Sequence, residues 1–318
     1  MGMTFVFLMD PIERIDIDGD STFVLMLASQ TRGHKVLYAH PKQLELRGDK
    51  PWVVGARPLT VRRKPGDFFE LGAPTDVGLN DVDAVFMRKD PPFDLEFLMY
   101  TYVLDRVDRR STVLVNDPQG LRDFNEKLAA LYWPELMPPT LITADRSQAR
   151  AFIRTHDTAV VKPLNGAGGA GILLLTAEDR NVGSALDILT QDGRTLIEVQ
   201  AFIPAVDAGD KRVVLLDGEP IGAVNRVPSK GDIRANMHVG GRAEASTLTD
   251  RDREIAAALA PELVRRGLIL VGIDIIGGFL TEINVTSPTG LQEIDRFNEI
   301  SLEDQVVERI EEKRNNLR

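Results

Sequence analysis

Residues 268–288 constrain the fold of this chain more than any other stretch. They read LILVGIDIIGGFLTEINVTSP, two β-branched apolar runs on either side of Gly277 and Gly278, and that pattern predicts a β-hairpin. Three oxygen-bearing side chains interrupt the apolar pattern: Asp274, Glu282 and Asn284. Glu282 and Asn284 are two residues apart, so on a strand they share a face. A three-residue loop of Gly277, Gly278 and Phe279 sets Asp274 opposite Glu282 and gathers all three polar groups on that face. A two-residue loop sends Asp274 to the other side. In the first register, two carboxylates and an amide oxygen make a poor core and a good ligand set for a hard cation. Mg²⁺ suits such a set, since one or two carboxylates plus substrate phosphates usually hold it.

A chain of 318 residues is long for one hydrophobic core and predicts two domains, or one with a lid. The formal net charge of −10 argues against general affinity for nucleic acid. The absence of cysteine removes disulfides, thiolate ligands and a thiol nucleophile. No apolar run approaches the roughly 18 residues of a membrane-crossing helix. The start, Met1-Gly2-Met3-Thr4, runs into a strand pattern without a basic leader, so the expected setting is the cytoplasm.

Residues 5–9, 35–38, 84–87 and 112–115 read as strands, with weaker ones at 53–54 and 59–61. Asp20 can cap a helix over 21–32 that Gly33 stops, and 94–106 is a second helix. Strands and helices joined by short links predict a parallel α/β sheet. Ligands in such sheets gather at the carboxyl ends of strands, where Arg88 and Lys89 stand as candidates to hold an acidic group. Residues 118–131 read as a helix carrying Arg122, Asn125, Glu126 and Lys127, and a domain boundary is expected there.

Ser147 can cap a helix to 155, and the strand over 159–162 ends at Pro163. Asn165-Gly166-Ala167-Gly168-Gly169-Ala170-Gly171 then formally matches a dinucleotide-binding glycine pattern. That pattern needs a helix after it, whereas residues 172–175 look like a strand. The segment therefore reads as a Gly-rich hairpin whose backbone amides can approach phosphates beside Lys162. Strands are expected at 195–203, 213–216 and 221–227, the last carrying Arg226. Residues 228–242 lack periodicity and hold Lys230, Arg234, His238 and Arg242. A long aperiodic segment of this kind is functional or disordered. It is read as a lid, open without substrate and closing over a reactive intermediate; His238 receives no role. Thr249, with Asp252 three residues on, caps a helix that Gly267 stops. Val306, Val307 and Ile310 mark the buried stripe of a last helix starting at Ser301.

Taken together these residues resemble the ATP-grasp superfamily, and in detail the bacterial glutathione synthetase family. The most specific pieces are Met87-Arg88-Lys89-Asp90-Pro91-Pro92-Phe93-Asp94 and Thr281-Glu282-Ile283-Asn284-Val285-Thr286-Ser287-Pro288. Asn125-Glu126-Lys127-Leu128, Lys162-Pro163-Leu164 and Gly209-Asp210-Lys211-Arg212-Val213 support them. The resemblance implies an α/β, ATP-grasp fold: an N-terminal pre-ATP-grasp domain over 1–122 and an ATP-grasp domain over 123–318. The second divides into a central lid part, about 123–203, and a C-terminal α+β part, about 204–318.

By resemblance, Lys127 and Lys162 contact ATP phosphates under Gly166, Gly168 and Gly169. Gln200, Phe202 and Ile203 meet adenine and Asp210 the ribose. Asp274, Glu282 and Asn284 bind Mg²⁺, with Mn²⁺ as its substitute. Arg88, Arg212, Arg226, Arg234, Arg242, Ser287, Pro288 and Thr289 lie on the substrate side, and Lys162, Arg212 and Arg226 are the catalytic set. The implied partners are γ-glutamylcysteine and glycine, with no nucleic acid or membrane, in a homo-oligomer, a tetramer by resemblance. Residues 229, 230, 232, 233 and 235 of the loop, and Gly290, depart from the family pattern. Two rival readings are another ATP-grasp carboxylate–amine ligase and a non-catalytic ATP-binding module. A lost metal ligand or phosphate lysine would favour the module, and none is lost.

Overall fold

The computed structural model describes residues 2–166, 168–235 and 240–317. His238 and Ala167 lie outside the described residues. In the acidic hairpin, strands Leu270–Ile276 and Phe279–Asn284 join through a two-residue turn, with Gly277 at φ +57° and Gly278 at +83°. Positive φ at both positions is why glycine stands at each. Ile276 faces Phe279 and Ile275 faces Leu280, a register that alone would turn Asp274 away from Glu282. Instead the pairing shifts after Ile275, and Asp274 faces Glu282 while Gly272 faces Asn284. Thr281 is the extra residue of a β-bulge, its hydroxyl donating to the Asp274 carbonyl at 3.1 Å. The short turn and the shared polar face therefore coexist, which neither simple register provides.

This hairpin closes an antiparallel sheet ordered Arg242–Ala245, Glu219–Val227, Asp210–Leu216, Leu270–Ile276, Phe279–Asn284. The N-terminal sheet has the order Leu44–Arg47, Lys50–Val61, Lys35–Ala39, Thr4–Met9, Ala84–Arg88, Val113–Val115. Its last four strands are parallel, as the strand–helix alternation predicts. The two weak strands expected at 53–54 and 59–61 are one strand, Lys50–Val61. Gly55, at φ +67°, lets the chain bulge and continue instead of stopping. One apolar core runs through both sheets, joining Val6, Leu8 and Met87 to Val213, Ile273 and Ile283. Helix Leu302–Asn316 lies on helix Ser21–Thr31 and buries Val306, Val307 and Ile310 as expected.

Between them in sequence, an antiparallel sheet is ordered Leu173–Thr176, Thr158–Pro163, Ile197–Ala201, Thr140–Thr143. Helices Arg146–His156 and Val182–Thr190 cover it around a core of its own, including Ile153, Val161, Leu186 and Val199. Asp145, not Ser147, caps the first of these helices, accepting from the Ser147 amide at 2.7 Å. The helix expected over 118–131 is also corrected. It ends at Asp123 because the Asn125 carboxamide oxygen takes the amides of Lys127 and Leu128, both at 3.1 Å. Such a local side-chain turn competes with the helix, so Lys127 is presented from a turn.

Candidate active site

A cleft of about 720 Å³ is lined by residues of the central and C-terminal sheets and by N-terminal residues outside the strands, among them Asp20 and Asp90. Its floor carries two sets of charges. In the first, Arg212 and Asp274 are direct partners on neighbouring strands, as are Asp210 and Arg226. Arg212 grips Asp274 through Nε to Oδ1 at 2.5 Å and Nη2 to Oδ2 at 3.0 Å. Arg226 Nη2 reaches Asp210 Oδ2 at 2.6 Å and Asp274 Oδ1 at 3.0 Å. Burial alone would raise Asp274, but the two guanidinium groups outweigh it and hold the carboxyl well below the usual range. Asp210 goes the other way: burial, with the negative charge of Asp274, pushes it up to about 6 against the pull of Arg226.

The second set is looser. Glu282 Oε1 stands 3.6 Å from Lys127 Nζ and 3.9 Å from Lys162 Nζ. Lys127 donates to the Gly166 carbonyl at 2.9 Å, tying it to the Gly-rich hairpin, and Lys162 donates to Gln200 Oε1 at 3.2 Å. Glu198 is fully buried 3.7 Å from Lys162, and burial raises its pKa. Burial acts to lower Lys127, but the neighbouring carboxylates, Glu282 first, leave it raised and firmly charged.

Lys127, Lys162, Gly166, Gly168, Gly169, Gln200, Phe202, Ile203 and Asp210 all line the cleft. So do Arg212, Arg226, Arg234, Asp274, Glu282, Asn284, Ser287, Pro288 and Thr289. Three of the sequence candidates lie elsewhere. Lys89 is ion-paired with Asp10 at 3.4 Å and does not line the cleft. Arg88 is buried behind the wall, donating to Thr22 Oγ1 and to the Pro288 carbonyl, each at 3.0 Å. Arg242 is exposed and ion-paired with Glu244 on its own strand. The described part of the 228–242 loop leans inward: Ile233, Arg234 and Ala235 line the cleft, and Ala235 is buried. Sequence reasoning gave no role to Glu126 or Glu198. The alternation of Glu198 and Gln200 along one strand was the signal for the second.

Asp274, Glu282 and Asn284 are brought together, with Asn284 Nδ2 donating to Asp274 Oδ2 at 3.2 Å. They form an all-oxygen donor set of the kind a hard cation takes. Among the described residues no cluster of three acidic or histidine side chains could hold a metal alone. A cation here would complete its shell with ligand oxygens, as Mg²⁺ does with phosphates.

Solved structures share this architecture over the whole chain. The D-cycloserine synthetase DcsG aligns at a TM-score of 0.65 and 17% identity, covering 99% of this chain and 100% of that one. The macrocyclase MdnC of Microcystis aeruginosa, bound to its precursor peptide MdnA, aligns at 0.61 and 17%, covering 98% and 100%. Three sheets and such a cleft define an ATP-grasp enzyme. Residues 3–122 match the N-terminal domain model of prokaryotic glutathione synthetase, and residues 126–299 match its ATP-grasp domain model. The chain belongs to the prokaryotic glutathione synthetase family. The glutathione synthetase of Synechococcus elongatus is 46% identical over 318 residues, 97% of this chain and 98% of that one. That of Bradyrhizobium diazoefficiens is 46% identical over 314 residues, 99% of each. Membership carries use of ATP with a divalent metal ion. Among the described residues no helix is long and apolar enough to cross a membrane.

Proposed function

We propose that this protein joins γ-glutamylcysteine to glycine, forming glutathione, ADP and phosphate in the cytoplasm, as a homo-oligomer. The observation that carries the chemistry is the convergence of Lys127, Lys162, Arg212 and Arg226 with Asp274, Glu282 and Asn284 on one cleft. A carboxylate is a poor electrophile. Attack of its oxygen on the γ-phosphorus of ATP, with ADP leaving, makes an acyl phosphate. The glycine nitrogen then adds to the acyl carbon, loses a proton, and phosphate departs with one oxygen of the original carboxylate. Positioning and electrostatics dominate phosphoryl transfer of this kind.

Lys127 and Lys162 hold the triphosphate under Gly166, Gly168 and Gly169, and Gln200, Phe202 and Ile203 take the adenine. Asp210, fixed to Arg226, faces the ribose side. Arg212 and Arg226, oriented by Asp274, stabilise charge on the transferring group together with Lys162. Asp274, Glu282 and Asn284 would hold Mg²⁺, or Mn²⁺ in its place. Bound there, such an ion would supply charge neutralisation to the phosphates. Ser287, Pro288 and Thr289 face the dipeptide. Arg88 supports them from behind through the Pro288 carbonyl. Arg234 and Ala235, in the described part of the 228–242 loop, cover the acyl phosphate and keep water from it; residues 236–239 of the expected lid lie outside the described residues.

A phosphate-release and nucleotide assay across a panel of acids and amines tests the reading. ADP and phosphate should form rapidly only with ATP, Mg²⁺, γ-glutamylcysteine and glycine together. Equal turnover with another dipeptide or amine would remove the substrate assignment.

A further inference from the structure

Strand Ile197–Ala201 carries one charged residue that the proposed reaction leaves unused. Ile197 and Val199 enter the core of the central sheet, so Glu198 and Gln200 point to its other face. Glu198 is the direct cross-strand partner of Lys162, and Gln200 that of Thr140. Lys162 and Gln200 line the cleft, whereas Glu198 is fully buried behind them. Burying a carboxylate is costly unless a partner compensates it, so this one calls for a use.

The contacts specify that use. Gln200 Nε2 donates to Glu198 Oε1 and to Thr140 Oγ1, each at 3.0 Å. The Thr140 hydroxyl gives its own proton to the Pro138 carbonyl at 2.9 Å, so toward Gln200 it can only accept. Both amide protons of Gln200 are thereby taken, and its oxygen faces Lys162 Nζ at 3.2 Å. Turning the amide over would set its oxygen against the Glu198 carboxylate and its N–H groups against the ammonium. The second carboxylate oxygen, Glu198 Oε2, has no hydrogen-bond partner among the described residues and stands 3.7 Å from Lys162 Nζ. Glu198 therefore acts on Lys162 twice, through the amide it orients and through its own charge. An ammonium has three N–H groups, so the bond to Gln200 fixes its direction and leaves others for phosphate. We propose that Glu198 is a positioning residue for the nucleotide, holding Gln200 and, through it, aiming Lys162 at the phosphates. The inference rests on the reading above that sets Lys162 on the triphosphate.

Titration calorimetry of the full chain with Mg²⁺ and the ATP analogue AMP-PNP reads the effect directly. Glu198→Gln keeps the shape and loses the charge, and should weaken binding about tenfold or more. Thr140→Val takes away the other acceptor of the Gln200 amide and should weaken it about twofold to tenfold. In turnover, KM for ATP should rise by the same factors, while KM for γ-glutamylcysteine and for glycine stays within about twofold. A general loss of structure would not give that split. Lys162→Met should weaken AMP-PNP binding most, and adding Glu198→Met should cost nothing further, because Glu198 acts through Lys162. The double variant should also unfold at higher urea than Lys162→Met alone, having lost a buried carboxylate without a partner. Binding within about twofold of wild type in Glu198→Gln and Thr140→Val, or additive losses at Lys162 and Glu198, would overturn the role. If the variants behave as expected on AMP-PNP but the wild-type chain does not turn over γ-glutamylcysteine with glycine, the proposed function falls and this role stands.

Discussion

The two charge sets on the cleft floor have the same composition, two cations and two carboxylates, and are held in opposite ways. Asp210, Arg212, Arg226 and Asp274 close on one another at 2.5–3.0 Å. Lys127, Lys162, Glu198 and Glu282 stay 3.6–3.9 Å apart, attracted but not hydrogen-bonded to one another. Architecture explains the difference. The first set consists of cross-strand partners on three adjacent strands, so sheet pairing fixes its distances. The second is assembled from a turn, two strands of the central sheet and one strand of the C-terminal sheet. A buried set bonded this tightly, with Asp210 Oδ1 alone of its carboxylate oxygens left without a partner among the described residues, acts as a strut that orients Arg226 and Asp274. A loose set can give its remaining lysine N–H groups to a ligand without first breaking strong bonds.

The contrast can be broken most sharply at Asp274. Asp274→Ala would leave Arg212 and Arg226 buried without their shared acceptor, a loss of about 3–5 kcal/mol in folding stability by urea denaturation. A change under about 1 kcal/mol would mean the first set is not a strut.

Glu282→Gln should do the reverse. Folding stability should hold, because Glu282 makes only long contacts to the lysines. Turnover at saturating Mg²⁺ should fall about 10²–10³-fold, roughly 2.7–4 kcal/mol, by analogy with a lost oxyanion donor. Near wild-type turnover would remove Glu282 from the ligand set.

The smallest effect is a pH slope. With its folded pKa raised from 3.8 to about 6, Asp210 binds a proton more readily in the folded chain than in the unfolded one. Its contribution to stability is therefore fully present below pH 3.8 and is lost as pH rises through about 6. Asp274, held low, contributes in the opposite sense, losing stability only as pH falls below its unfolded value. Asp210→Asn should flatten the stability profile between pH 3.8 and 6 by one proton's worth of slope. An unchanged slope would contradict the raised pKa.

Local patterns were legible in the sequence, and pairings were not. Period-two alternation exposed the hairpin and its acidic face, and Asp20, Asp94 and Thr249 cap helices close to where the pattern put them. The bulge at Thr281 was hidden, because one inserted residue leaves the composition of both strands unchanged. The helix over 118–131 was overextended because its apolar period continues past Asn125, whose side chain diverts the backbone. Arg88 read as a substrate contact because it ends a parallel strand, yet its guanidinium is spent on Thr22 and the Pro288 carbonyl, 200 residues away. Arg212 and Asp274, 62 residues apart, could be recognised as functional singly but not as a pair.

Isotope transfer tests the central claim most directly. γ-Glutamylcysteine labelled with ¹⁸O in its cysteinyl carboxylate should yield phosphate carrying one ¹⁸O for each glutathione formed, with unlabelled ADP. Label appearing in AMP, or phosphate released without label, would contradict attack of the carboxylate on the γ-phosphorus.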